Sequence, residues 1–164
     1  MAGKSYMNST VSQNHSLPQR LADFSTLSEA LDYAAQGQTG VNFYAGRCQL
    51  AAALTYAELR REALAMAQCL RGLGARRGDR VALIADTVPA FMTIFFGCQY
   101  AGLVPVPLPV PAGLGNRDIY VERLRGLLTS CRADVVLAPA AMLALATAAA
   151  AGFPLAFIGS FEAL

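Results

Sequence analysis

GDRVALIADTVPAFMTIFFGCQYAGLVPVP, residues Gly78 to Pro107, decides the fold of this chain. The stretch reads as strand, helix, strand. Val81, Leu83 and Ile84 lie in a short apolar run, Arg80 to Ala85, between turn residues, the pattern of a strand covered on both faces. Thr87 is placed to cap a helix, and Pro89 sits near its first position, where a missing N–H costs nothing. Phe91, Ile94, Phe95 and Cys98 then form one apolar stripe at i, i+3, i+4 and i+7. Gly102 ends the helix, and Leu103 to Val106 supplies a second short strand before prolines stop it. Two strands joined by a helix are expected to be parallel, with a right-handed crossover.

The 164 residues are one domain's worth of chain, long enough to bury roughly 70% of the extended-chain surface. Hydrophobic residues make up 55% and charged residues only 15%, well below the usual charged share of about 25%. Much of the surface is therefore expected to be covered. The net charge is +2, with arginines spread over several segments and no basic tract with interleaved aromatics, so nucleic acid is not an expected partner.

Cys48, Cys69, Cys98 and Cys131 are widely spaced, without a C-x-x-C pair, and His15 is the sole histidine. That excludes an obvious metal site and predicts reduced, mostly buried thiols in a cytoplasmic protein. No charged segment followed by an apolar run opens the chain, so no secretory signal is expected. Two stretches, Thr87 to Asn116 and Val135 to Phe161, carry no charged side chain. Their prolines and glycines argue against a membrane span.

Residues 1–24 are polar and aperiodic and read as a flexible tail; residues 25–164 read as a single α/β domain. Thr26 to Gln36 has helical spacing, capped by Thr26 or Ser28. Val41 to Tyr44 and Leu50 to Leu54 form a hairpin around Gly46 and Arg47. Thr55 and Glu58 make a capping-box pattern. Behind it, Tyr56, Leu59, Ala63, Met66, Leu70 and Leu73 repeat along one helix face, with Glu58, Arg60, Arg61, Glu62 and Gln68 off it. Gly72 and Gly74 end that helix, and Arg71, Arg76 and Arg77 lie near its negative end. The Gly72 to Gly78 run mimics a dinucleotide fingerprint, but a helix precedes it and a strand follows, the reverse of what phosphate binding needs.

Pro107 to Asn116 is a proline- and glycine-rich loop at the carboxyl end of a strand, where open α/β sheets bind ligands. It is either a functional loop or a rigid connector. Asp118 to Cys131 follows as a helix with Tyr120, Leu124, Leu127 and Leu128 inward and Glu122, Arg125 and Arg132 toward water. Ala133 to Ala138 is a third strand of the unit, Pro139 opens an alanine-rich helix, and Leu155 to Ile158 is a fourth strand. The expected fold class is α/β: a mainly parallel sheet, helices on both faces, and an N-terminal hairpin.

The sequence holds no nucleophile elbow, no paired acid–base carboxylates and no phosphate-cradling glycine loop. Its sole lysine, Lys4, lies in the polar tail. Arg117 and Arg123 could attract phosphate, and Asp118 and Glu122 read as exposed helix residues.

Three segments, LTYAELRREALAMAQCLRGLGARRGDRVAL, FFGCQYAGLVPVPLP and RLRGLLTSCRADVVLAP, together resemble the opening of an adenylate-forming synthetase. That superfamily includes acyl-CoA synthetases, fatty-acyl-AMP ligases and nonribosomal adenylation domains. The resemblance covers about Leu27 to Pro139 and is nearest to fatty-acyl-AMP ligases. It implies part of the large N-terminal domain of an enzyme that activates a carboxylic acid with ATP and magnesium as acyl-AMP. It further implies a fatty or other hydrophobic acid as substrate and acyl carrier protein as acceptor.

The superfamily's phosphate loop, adenine and ribose motifs and catalytic lysine have no counterpart here. No catalytic, cofactor-binding or metal residue can therefore be carried onto this chain. It is expected to be an inactive N-terminal fragment whose partner is the remainder of the ligase, and to associate with itself. A stand-alone interaction or regulatory module, or an unrelated α/β ligand-binding domain, are the alternatives.

Overall fold

Val81 and Leu83 turn toward one side of a strand, Ala82 and Ile84 toward the other, and all four are buried. That double burial requires helices on both faces. The computed structural model, which describes residues 17–110 and 117–164, supplies them. Its elements are α1 (Leu27–Ala34), β1 (Gly40–Ala45), β2 (Gln49–Thr55), α2 (Tyr56–Gly72), β3 (Arg80–Ile84), α3 (Pro89–Ala101), β4 (Val104–Leu108), α4 (Arg117–Cys131), β5 (Val135–Ala138), α5 (Leu143–Ala149) and β6 (Phe157–Ser160). A four-stranded sheet runs β4-β3-β5-β6, with all three pairings parallel, beside the antiparallel hairpin β1-β2.

The alternation sorts the core into two layers. Val81, Leu83, Val135 and Leu137 pack with Ala67 and Leu70 of α2 and with Ile94, Cys98 and Ala101 of α3. Ala82, Ile84, Val136 and Ala138 pack with Leu124 and Leu128 of α4 and with Ala146 and Ala149 of α5. A third cluster, Leu31, Phe43, Leu54 and Leu59, joins α1, the hairpin and α2. Fully burying a leucine such as Leu59 or Leu70 contributes about 1.5–3 kcal/mol.

α3 explains the first charge-free stretch. Ile94 and Cys98 face the sheet, while Met92, Phe96 and Tyr100 pack into the hairpin cluster. A helix apolar around most of its circumference is a buried one. Among the described residues, no helix is long and apolar enough to cross a membrane.

The capping box at α2 forms as expected: the Glu58 amide donates to Thr55 Oγ1 at 3.2 Å, and the Thr55 amide donates to Glu58 Oε2 at 3.0 Å. Thr26 caps α1 by accepting from the Glu29 amide. The Gly72 to Gly78 run is the helix stop and turn: Gly74 and Gly78 have φ of 87° and 91°, a region only glycine enters freely.

Several local expectations fail: β5 starts at Val135 rather than Ala133, and a 3-10 turn, Ala140–Met142, separates Pro139 from α5. Thr87 does not cap α3; the N-cap is Val88, without a side-chain bond, and Pro89 leads the helix. Prolines do not stop β4, which runs through Pro105 and Pro107 to Leu108. β4 is an edge strand, and a parallel ladder uses the N–H of alternate residues only. The Val104 amide bonds the Asp79 carbonyl, which turns both prolines outward. β6 begins at Phe157, two residues later than expected, because the Ala156 amide already pairs with the Asp134 carbonyl and sets the register. Arg125 does not simply face water. Its guanidinium donates to the Ala151 and Ala148 carbonyls at 2.9 and 3.0 Å, satisfying the end of α5. The thiols are free but not mostly buried: Cys48 and Cys69 are exposed, Cys131 is half-buried, and only Cys98 is buried.

Candidate functional site

Strand order locates the candidate site. The chain leaves β3 toward α3 on one face and leaves β5 toward α5 on the other. Neighbouring strands whose exits diverge open a crevice at their carboxyl ends, where α/β sheets bind ligands. Ala85, Asp86 and Thr87 follow β3, and Pro139 and Ala140 follow β5.

Side chains tie the rim together. Glu162, after β6, accepts a hydrogen bond from the Ala140 amide at 3.0 Å. Tyr120 of α4 donates to the Pro109 carbonyl at 3.3 Å and so holds the segment leaving β4. Burial pushes the Tyr120 phenol up, against an opposing pull from Arg123. Asp86, Thr87 and Glu162 are exposed. The loop expected to carry function, Pro107 to Asn116, is described only to Val110; the rest lies outside the described residues, as do Lys4 and His15.

Asp118 and Glu122 are exposed on α4, as expected, and so are Arg117 and Arg123. Among the described residues, no group of three His, Cys, Asp or Glu side chains could hold a metal ion. The described rim offers carboxylates and hydroxyls, but neither lysine nor histidine. This donor set does not fit a magnesium–ATP site by itself. The arrangement can form one wall of a ligand cleft.

Sequence reasoning gave no hint of a second surface feature. An open crevice of about 270 Å³ is lined by Arg20, Phe24, Glu29, Asp32, Tyr33 and Gln36. The Arg20 guanidinium lies over the Phe24 ring at 4.4 Å and near the Tyr33 ring at 5.5 Å, and it bonds Asp23 at 3.0 Å. Tyr33 donates to the Pro18 carbonyl. These contacts fasten residues 17–24 to α1, and no periodicity in sequence announces them.

A four-stranded parallel sheet clad with helices on both faces places the chain in the α/β class. Comparison with known proteins narrows the class. The AMP-binding enzyme family matches residues 32–155, and the chain belongs to that family. A putative acyl-CoA synthetase of Caulobacter vibrioides is 45% identical over 140 residues, covering 85% of this chain and 24% of that protein. A solved structure from a study of fatty acyl-adenylate ligases of E. coli and L. pneumophila is 47% identical, with a TM-score of 0.82, over 90% of this chain and 27% of that one. A medium-chain-fatty-acid–acyl-carrier-protein ligase of Moorena producens is 31% identical over 119 residues, 70% of this chain and 20% of that protein. The chain spans about a quarter of the length of these relatives. Its fold is that of the N-terminal domain of adenylate-forming enzymes.

Proposed function

We propose that this chain is the N-terminal portion of an ATP-dependent ligase that activates a fatty or other hydrophobic acid as its acyl-adenylate, and that the portion alone is inactive. The observation that carries the reading is the 47% identity, at a TM-score of 0.82, to a structure from a study of fatty acyl-adenylate ligases. In such a reaction a carboxylate oxygen attacks the α-phosphorus of ATP, the bond to the β-phosphate breaks, and pyrophosphate leaves. Cations and backbone donors must hold the developing charge. The described residues provide neither a glycine-rich phosphate loop nor a lysine, so ATP and magnesium belong to a site completed by the remainder of the ligase.

Residues 25–164 act in this reading as one α/β unit whose strand ends form a wall of the shared cleft. The acyl group then passes to the pantetheine thiol of an acyl carrier protein, a step supported by the Moorena producens relative. A cytoplasmic location accords with free thiols at all four cysteines.

The test is acid-dependent exchange of labelled pyrophosphate into ATP, run on the 164-residue chain and on the open reading frame that contains it. Exchange is expected only from the longer protein, with hydrophobic acids. Exchange by the 164-residue chain overturns the inactivity; none by the folded longer protein across a panel of acids overturns the activity.

A further inference from the structure

Five exposed arginines, Arg71, Arg76, Arg77, Arg80 and Arg132, lie in the segments at the amino end of the sheet, opposite the candidate cleft. Arg71 is in the last turn of α2. Arg76 and Arg77 lie in the turn that leads to Arg80, the first residue of β3. Arg132 lies in the turn before β5, and the backbone closes the group: the Asp134 amide donates to the Arg80 carbonyl at 2.9 Å.

The carboxylates at this end, Asp79 and Asp134, are turned to the backbone. Asp79 accepts from the Arg76 amide at 2.7 Å, and Asp134 from the Arg80 amide at 2.8 Å. Among the described residues none of the five guanidinium groups forms an ion pair, whereas Arg20 and Arg60 elsewhere do. The five exposed side chains thus carry positive charge that the neighbouring carboxylates do not pair, with the Arg77 stem lying beside Gly102.

Arg132 stands where other helices end in glycine. After α2, α3 and α5 the chain turns through a glycine with positive φ: Gly74 at 87°, Gly102 at 75° and Gly152 at 86°. After α4 the corresponding residue is Arg132, at φ 50°, a conformation that strains any residue with a Cβ. The helix stop alone would be better served by glycine. An arginine at that point adds charge to the patch.

We propose that this arginine patch is a docking surface for a carboxylate-rich segment of a partner protein. Guanidinium forks match carboxylates two-pronged and keep their charge at every physiological pH. Among the described residues, Val104 is the one exposed large hydrophobic side chain at this end, too little to anchor in a lipid surface. Among the described residues, the aromatic rings near the start of β6, Phe153 and Phe157, are half-buried and so poorly placed to stack on bases.

The test measures binding of a labelled oligoglutamate peptide to the 164-residue chain by fluorescence anisotropy at low ionic strength. Oligoglutamine, phosphatidylglycerol vesicles and oligothymidylate serve as competing probes. Oligoglutamate should bind best, and Arg76→Gln combined with Arg132→Gly should weaken it about tenfold or more. Arg117→Gln with Arg123→Gln, at the other end of the sheet, should leave binding unchanged. Arg132→Gly alone should lower affinity without lowering the melting temperature, a split that a structural role would not give. Equal loss from the Arg117 and Arg123 changes, a lower melting temperature for Arg132→Gly, or tighter binding to vesicles or oligothymidylate would each overturn the proposal.

Discussion

Tyr100, in the last turn of α3, donates its phenolic hydrogen to Asp32 of α1 at 2.6 Å. The same carboxylate oxygen accepts from Arg60 Nε of α2 at 2.6 Å, so a single side chain joins three helices. Burial pushes the Asp32 carboxyl up, but the bonds from Tyr100 and Arg60, with the Arg60 charge, outweigh it and hold the group below its ordinary value. Burial, then the Asp32 bond and charge, push the Tyr100 phenol up.

The signs of these shifts define a pH window. A lowered carboxyl contributes stability above its unfolded value, about 3.9, that is lost as pH falls through the folded value. A raised phenol contributes stability below its unfolded value, about 10, that is lost as pH rises through the folded one. Asp32 is 43% exposed, so solvent screens the pair, and Tyr100→Phe should cost only about 1 kcal/mol. Thermal melts should show a fall of about 2–4 °C near neutral pH, with most of the difference gone at acid pH. An unchanged melting temperature would show that the contact does not hold α1.

Gly97 of α3 packs directly against α2. A Cβ built there would lie 2.7 Å from Met66 Cγ, 2.9 Å from Met66 Cβ and 3.3 Å from the Ala63 carbonyl. Gly97→Ala should therefore destabilise by about 1–3 kcal/mol through overpacking, despite alanine's better helix propensity. Removing the Met66 thioether arm relieves part of the clash. The double variant Gly97→Ala with Met66→Ala should lose less stability in denaturant melts than the two singles added together. A stabilising Gly97→Ala would contradict this packing.

The central strand–helix–strand unit was legible because its signals are local: four apolar residues in β3, Pro89 at the start of α3, Gly102 at its end. The hairpin and the Thr55–Glu58 capping box were legible for the same reason. What escaped depended on neighbours in space. Pro105 and Pro107 read as strand breakers until β4 is known to be an edge. Arg125 reads as a surface charge until the end of α5 arrives beside it. Glu62 looks solvent-facing until α3 brings Thr93, whose hydroxyl donates to it at 3.1 Å. The candidate cleft was legible only as a position at the strand ends, since no chemical motif marks it.

Cysteine reactivity should follow burial. Cys48 and Cys69 are exposed, Cys131 is half-buried, and burial pushes the Cys98 thiol up to about 12. Since the thiolate is the reacting species, a disulfide-exchange reagent should modify Cys48 and Cys69 first and Cys98 last. In denaturant all four cysteines should titrate as free thiols. A denatured count of two or none would mean disulfides, and rapid loss of Cys98 in the native protein would mean that α3 opens readily.

The two edges of the sheet differ in how they meet another chain. On β4, Pro105 and Pro107 remove the outward N–H groups, a common protection against strand addition. β6, with the sequence FIGS, carries neither proline nor charge. Its Ala156 neighbour already pairs inward, so by alternation the Phe157 and Gly159 N–H groups point away from β5. With only 15% charged residues, little repulsion opposes association at that edge. The isolated chain should therefore self-associate through β6. Light scattering should show apparent mass rising with concentration. Hydrogen exchange should show growing protection at Phe157 and Gly159, and none added at β4. A species that stays monomeric at high concentration would refute the association. Dimers that leave β6 exchange unaltered would place the contact elsewhere.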